Sequence, residues 1–230
     1  MLYNAVRLLG RFCFGVLGRL EVHGLEAVPP YGPLIIVANH LSFSDPPVMV
    51  IAFPRMPSFI AKQEIFGNPL SRLLFREFNV YPFDRSSSGL DAVRLVLRLL
   101  AQDQAVVIFP EGHRSPDHSM KRAKAGAAYL ALKSQAPILP VGIFGTEKFP
   151  SWRMPLPLCR FQVNIGQPFS LPVLEGNPSR EVLGSLQDMI MYRIAALLPA
   201  DYQGVYAVSP SSGTGAVGQP RSSGAGTSAT

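Results

Sequence analysis

Charge is scarce in this chain, and acid is scarcer still. Only 16% of its 230 residues are charged, with 15 Asp or Glu against 21 Lys or Arg, and no acid precedes Glu21. The resulting net charge of +6 favours an anionic partner, whether nucleic acid, a membrane surface or a phosphorylated molecule. Cysteine is nearly absent. Cys13 and Cys159 stand far apart and form no metal-ligand spacing; one disulfide between them stays open, but a reduced intracellular protein is the better fit. No uncharged apolar run reaches the roughly 18 residues expected of a spanning helix. There is no zinc-finger spacing, basic cluster interleaved with aromatics or other recognised nucleic-acid module, which weakens the first of those partners. No small-residue cleavage site follows the N-terminal apolar segment, so a signal peptide is not expected there.

What remains is strongly apolar. Hydrophobic residues make up 47% of the chain, a high share for a freely soluble enzyme. Residues 1–20 carry Leu2, Tyr3, Val6, Leu8, Leu9, Phe12, Phe14, Val16 and Leu17 among Arg7, Arg11 and Arg19. This predicts an amphipathic helix lying in the headgroup region of a membrane, its arginines beside anionic phosphates because no acid is at hand to pair with them. A helix packed on the protein's own core is the other reading.

Residues 21–203 alternate strand-like and helix-like segments. Strands are expected at 34–38, 58–61, 79–83, 105–109, 138–143 and 161–165, and helices at 46–52, 69–75, 89–102, 123–134 and 179–198. The alternation predicts an α/β fold, with a mostly parallel or mixed central sheet flanked by helices. Such sheets bind ligands at the carboxyl ends of their strands. Residues 204–230, mostly Gly, Ser, Ala, Thr and Pro, bury too little surface to offset their ordering entropy and are expected to form a disordered tail.

The turns after the strands hold the chemistry. Asn39-His40-Leu41-Ser42-Phe43-Ser44-Asp45 follows the apolar run 34–38, and Asp45-Pro46-Pro47 reads as a helix start with Asp45 as its N-cap. A histidine at a strand exit, with a carboxylate in reach to orient it, is a general-base arrangement. A cap and a polar turn residue are the plain alternative. Asp84-Arg85 follows another strand and, alone, also reads as a surface ion pair. Phe109-Pro110-Glu111-Gly112-His113-Arg114-Ser115 follows a third, and Pro140 sits among apolar residues in a fourth. Together these turns gather Arg85, Arg114 and Lys124 around one histidine, and guanidinium forks suit phosphate.

These four stretches resemble the four sequence blocks of the glycerolipid acyltransferases, specifically the 1-acyl-glycerol-3-phosphate acyltransferases. Asn39, His40 and Asp45 meet the first block, Asp84 and Arg85 the end of the second, Phe109 to Ser115 the third and Pro140 the fourth. Ala61, Lys62, Glu64, Lys124 and Gly126 add supporting matches, and the likeness extends over residues 22–166. His113 departs from it, standing where the family usually has Thr, and Asn79 and Pro82 make the second block irregular.

The resemblance implies a fold like that of glycerol-3-phosphate acyltransferase. It implies transfer of a fatty acyl group from acyl-CoA or acyl-carrier protein to 1-acyl-glycerol-3-phosphate, giving phosphatidic acid in phospholipid biosynthesis. His40 would be the base and Asp45 its orienting acid. Arg85, Glu111, Gly112, Arg114 and Ser115 would bind substrate, with Lys62 and Lys124 as weaker members of that set. Backbone amides of the Glu111-Gly112 turn are the expected oxyanion donors. No metal, redox cofactor or nucleic acid is expected. A peripheral or monotopic position at the cytoplasmic face of the cell membrane is. Glycerol-3-phosphate, a lyso-ornithine lipid or another lysophospholipid are alternative acceptors, and a membrane-associated lipid-binding protein is the non-enzyme alternative.

Overall fold

The computed structural model describes residues 2–16, 19–84, 89–148 and 160–207. Its elements are, in chain order, α1 (Leu2–Val16), β1 (Arg19–His23), β2 (Leu34–Ala38), α2 (Asp45–Ala52), β3 (Pro57–Lys62), α3 (Pro69–Glu77), β4 (Val80–Phe83), α4 (Gly89–Leu100), β5 (Ala105–Ile108), α5 (Gly126–Ser134), β6 (Ile138–Phe144), β7 (Arg160–Ile165) and α6 (Arg180–Ala195). The seven strands form one sheet in the order β1-β7-β6-β2-β5-β3-β4. All neighbours are parallel except β6 and β7. The α/β expectation therefore holds, with β1 and β7 running against the other five strands.

Burial follows from strand geometry. β2 is apolar at every position and buried at every position, as a central parallel strand covered on both faces must be. Alternation then divides its side chains. Leu34, Ile36 and Ala38 join the core under α1 and α2, whereas Ile35 and Val37 join the core beneath α4, α5 and α6.

Three expectations need correction. β1 begins inside the segment assigned to the N-terminal helix, because Arg19, Glu21 and His23 alternate with Leu20 and Val22, the period of an edge strand. The arginines of α1 have partners within the fold. Arg7 Nη1 donates to Phe53 O at 3.2 Å and Arg11 Nη2 to Ala52 O at 3.4 Å, at the carboxyl end of α2, where positive charge meets the helix dipole. Close approach is possible because Gly10 faces Ile51; a Cβ there would stand 2.7 Å from it. α1 still keeps an apolar outer face, with Leu8 72%, Leu9 63% and Phe12 66% exposed while Phe14 is buried. Finally, the ordered chain continues past 203. The turn Gly204–Tyr206 buries Tyr206, whose hydroxyl accepts from Ala123 N. Residues 208–230, the rest of the expected tail, lie outside the described residues, as does Cys159.

Asn39 extends the β2–β6 pairing by side chain. Its Nδ2 donates to Ile143 O and its Oδ1 accepts from Ile143 N, each at 2.8 Å, and the residue is fully buried. Replacing Asn39 by Ala strands both Ile143 groups. Urea denaturation should report a loss of roughly 1–3 kcal/mol.

Candidate active site

The turn after β2 winds around one carboxylate. Asp45 is fully buried. Its Oδ2 accepts from Leu41 N at 2.8 Å and Ser42 N at 2.9 Å, and lies 2.7 Å from His40 Nδ1. Its Oδ1 meets the hydroxyl of Thr146. The expected cap is thus reversed. Ser44 holds the N-cap position, and Asp45 is the first helical residue, reaching back over the turn rather than forward along the helix. An ionised carboxylate only accepts, so Nδ1 carries the imidazole proton and Nε2 presents a lone pair. Among the described residues Nε2 has no hydrogen-bond partner. The His40 side chain is 18% exposed, and its ring stacks on Phe109 at 4.1 Å and 20°.

The loop after β5 holds the histidine's backbone. Ser115 N donates to His40 O at 2.9 Å, and His40 N donates to Glu111 Oε1 at 3.3 Å. The other Glu111 oxygen accepts from Lys121 N at 2.9 Å. Glu111 and Ser115 are both buried. The structure therefore points Glu111 inward, as a clamp on main-chain donors, where the family pattern assigns it to substrate. The Ser115 hydroxyl is engaged with Asp117 and the carbonyl of Ser119. Gly112 turns with φ 74°, and its N–H donates to Phe109 O at 3.0 Å. That amide is already committed, against the expectation that it serves an oxyanion. The Lys121 ammonium holds the exposed Asp117 carboxylate well below its usual range.

Cationic groups lie along the same sheet edge. The exposed Arg114 guanidinium sits 3.6 Å over the Phe43 ring, within the His40 turn. Lys124 is exposed, its N–H donating to Pro110 O at 3.1 Å. Lys62 ends β3 and Asp84 follows β4, placing them two and three strands from β2, about 10 and 14 Å across the sheet. Arg85 lies outside the described residues. A cavity of ≈ 440 Å³ lined by Phe66, Arg72, Arg76, Tyr81 and neighbours runs along β4, apart from His40. Among the described residues no three His, Cys, Asp or Glu cluster as metal ligands.

Two contributors escape a reading of the sequence. Phe109 belongs to a matched block, but its stacking on His40 depends on β5 lying beside β2. Thr146 carries no signal at all, since it reaches Asp45 only because β6 is the other neighbour of β2.

A model of the acyltransferase family matches residues 19–144. The chain belongs to this acyltransferase family. It is 34% identical over 143 residues to human 1-acyl-sn-glycerol-3-phosphate acyltransferase alpha, a match covering 60% of this chain and 50% of that protein. It thus spans about half the length of its mammalian relatives. The Bacillus subtilis 1-acyl-sn-glycerol-3-phosphate acyltransferase is 26% identical over 200 residues, covering 81% and 96%. The crystal structure of the Thermotoga maritima 1-acyl-sn-glycerophosphate acyltransferase PlsC superposes with a TM-score of 0.64 at 27% identity, covering 82% and 76%.

Burial pushes the Glu111 carboxyl above its ordinary range, against the opposing pull of the Lys121 and His40 N–H groups. The folded acyltransferase therefore holds that proton more tightly than the unfolded chain. The associated stability is complete below the ordinary glutamate value and is lost as pH rises through the raised one. Across urea titrations from about pH 4 to about pH 8, wild type should lose ground steadily to Glu111→Gln. A constant difference would contradict the raised value.

Proposed function

We propose that this protein moves a fatty acyl group from a thioester, acyl-CoA or acyl-carrier protein, to the free hydroxyl of 1-acyl-glycerol-3-phosphate, yielding phosphatidic acid. The observation that carries this reading is the 2.7 Å contact between His40 Nδ1 and buried Asp45 at the end of β2, with Nε2 unpartnered among the described residues. The names of the human, Bacillus and Thermotoga relatives support the same acceptor.

In this reading the acceptor hydroxyl attacks the thioester carbonyl while Nε2 takes its proton. Asp45 steadies the imidazolium that forms. The tetrahedral adduct then collapses. The carbon–sulfur bond breaks, and the departing thiolate recovers the proton from Nε2. One ester is formed and one thioester consumed, without an acyl-enzyme. Arg85 and Arg114 take the acceptor's phosphate, with Lys62 and Lys124 adding positive charge along the same edge. Glu111 and Ser115 act through the backbone of the turn that carries His40, and Gly112 shapes the loop that holds them.

Both acceptor and product live in a bilayer, and the exposed face of α1 suits its surface. Leu8, Leu9 and Phe12 enter the acyl boundary, at the cytoplasmic face of the membrane where acyl thioesters are met. Among the described residues no helix is long and apolar enough to cross a membrane.

Two measurements test these claims. Purified protein, incubated with labelled acyl-CoA or acyl-carrier protein and a panel of acceptors, should label 1-acyl-glycerol-3-phosphate in preference to glycerol-3-phosphate, lyso-ornithine lipid and phosphate-masked lysophospholipids. His40→Ala should abolish labelling, by about 10³-fold or more, with the far-UV spectrum unchanged. Activity surviving in that variant removes the mechanism. Separately, the triple variant Leu8→Ser, Leu9→Ser, Phe12→Ser should fold normally yet fail to co-sediment with anionic vesicles. Undiminished binding would locate the membrane surface elsewhere.

A further inference from the structure

Asp45 lies out of reach of water, so each of its oxygens must find its partners within the fold. Oδ2 is served entirely by its own turn, from His40, Leu41 and Ser42. Oδ1 is served from far along the chain. Thr146, fully buried, opens the short turn Thr146–Lys148 directly after β6, and its hydroxyl is bonded to Oδ1. The route by which it arrives is tightly defined. Gly145 adopts φ 90°, and a Cβ there would stand 2.2 Å from Arg160 O, so the backbone of β7 dictates where the next residue is delivered. Thr146 falls two positions beyond the segment that the family model matches.

We propose that Thr146 is a positioning residue for acyl transfer, its hydroxyl holding the Asp45 carboxylate at the rotation that aims Oδ2 at His40 Nδ1. This rests on the function proposed above. Three donors converging on one oxygen leave a carboxylate free to pivot about that oxygen. A fourth donor on the other oxygen removes the pivot. The imidazole is then held in one tautomer and one plane, and Nε2 meets the acceptor hydroxyl in the same attitude at each turnover. The hydroxyl must be the donor, because a carboxylate has only lone pairs to offer. Threonine fits this role because its branched Cβ restricts χ1 and its methyl fills the buried space around the hydroxyl.

Valine keeps the shape and removes the donor, whereas serine keeps the donor and trims the shape. The test measures kcat, both KM values and the pH profile of full-length wild type, T146V, T146S and H40A. In T146V, kcat should fall about ten-fold or more with both KM values within about two-fold. The acid limb should move to higher pH, since a carboxylate deprived of a donor grips the imidazolium proton harder. T146S should recover most of the rate and the wild-type limb. The other titratable groups nearby, Glu111 and His113 from the loop after β5 and Glu147 beside Thr146, are identical in all variants. Wild-type kcat and profile in T146V, or a T146S as impaired as T146V, overturn the assignment. If T146V does not fold, T146C replaces it with the same expectation, its thiol being a weak donor. Transfer retained by H40A would remove the underlying function. Transfer lost in H40A but intact in T146V would remove the threonine's role alone.

Discussion

Asp45 brings a negative charge into a place that water does not reach. A charge so placed is costly unless donors converge on it, and here four do, two from main chain and two from side chains. The surrounding geometry follows from that demand. The turn at residues 41–44 takes its shape because two consecutive N–H groups must face one oxygen. The imidazole takes its orientation because Nδ1 must face the same oxygen. β6, paired with β2 along its length, delivers Thr146 to the other. A disposition that looks designed for catalysis is, at this level, the set of contacts that lets an acid be buried at all.

The third sequence block works mostly at one remove. Glu111 and Ser115 grip the main chain of His40 from either side, and Phe109 supplies the surface on which the ring lies. Arg114 alone among its side chains faces outward with permanent charge to offer, stacked on the exposed Phe43. Parallel pairing of β2 with β5 explains this division. It sets the two turns side by side at the same edge, so that one turn scaffolds the other.

Much of this was legible in the sequence, for reasons that are local. Apolar runs bounded by Gly, Pro and polar residues mark β2, β3, β5, β6 and β7, and the helices between them show their period. His40 and Asp45 were visible because both stand in one turn. What stayed hidden depends on strand order, which adjacency in sequence does not convey. Thr146 meets Asp45 only because β6 flanks β2. Glu111 turns inward only because the loop from 111 to 121 closes on itself. The arginines of α1 looked unpaired because their partners are main-chain carbonyls at the end of α2, and carbonyls leave no trace in composition. β1 was masked by the helical pattern just before it.

The turn Gly204–Tyr206 has a longer reach than its position suggests. Val205 N donates to Met120 O and the Tyr206 hydroxyl accepts from Ala123 N, so the segment between them, with Lys121, is tethered to the turn Gly204–Tyr206. Lys121 N holds Glu111, and Glu111 holds the main chain of His40. Hydrogen bonds and the short main-chain step from Met120 to Lys121 therefore join the turn Gly204–Tyr206 to the main chain of His40.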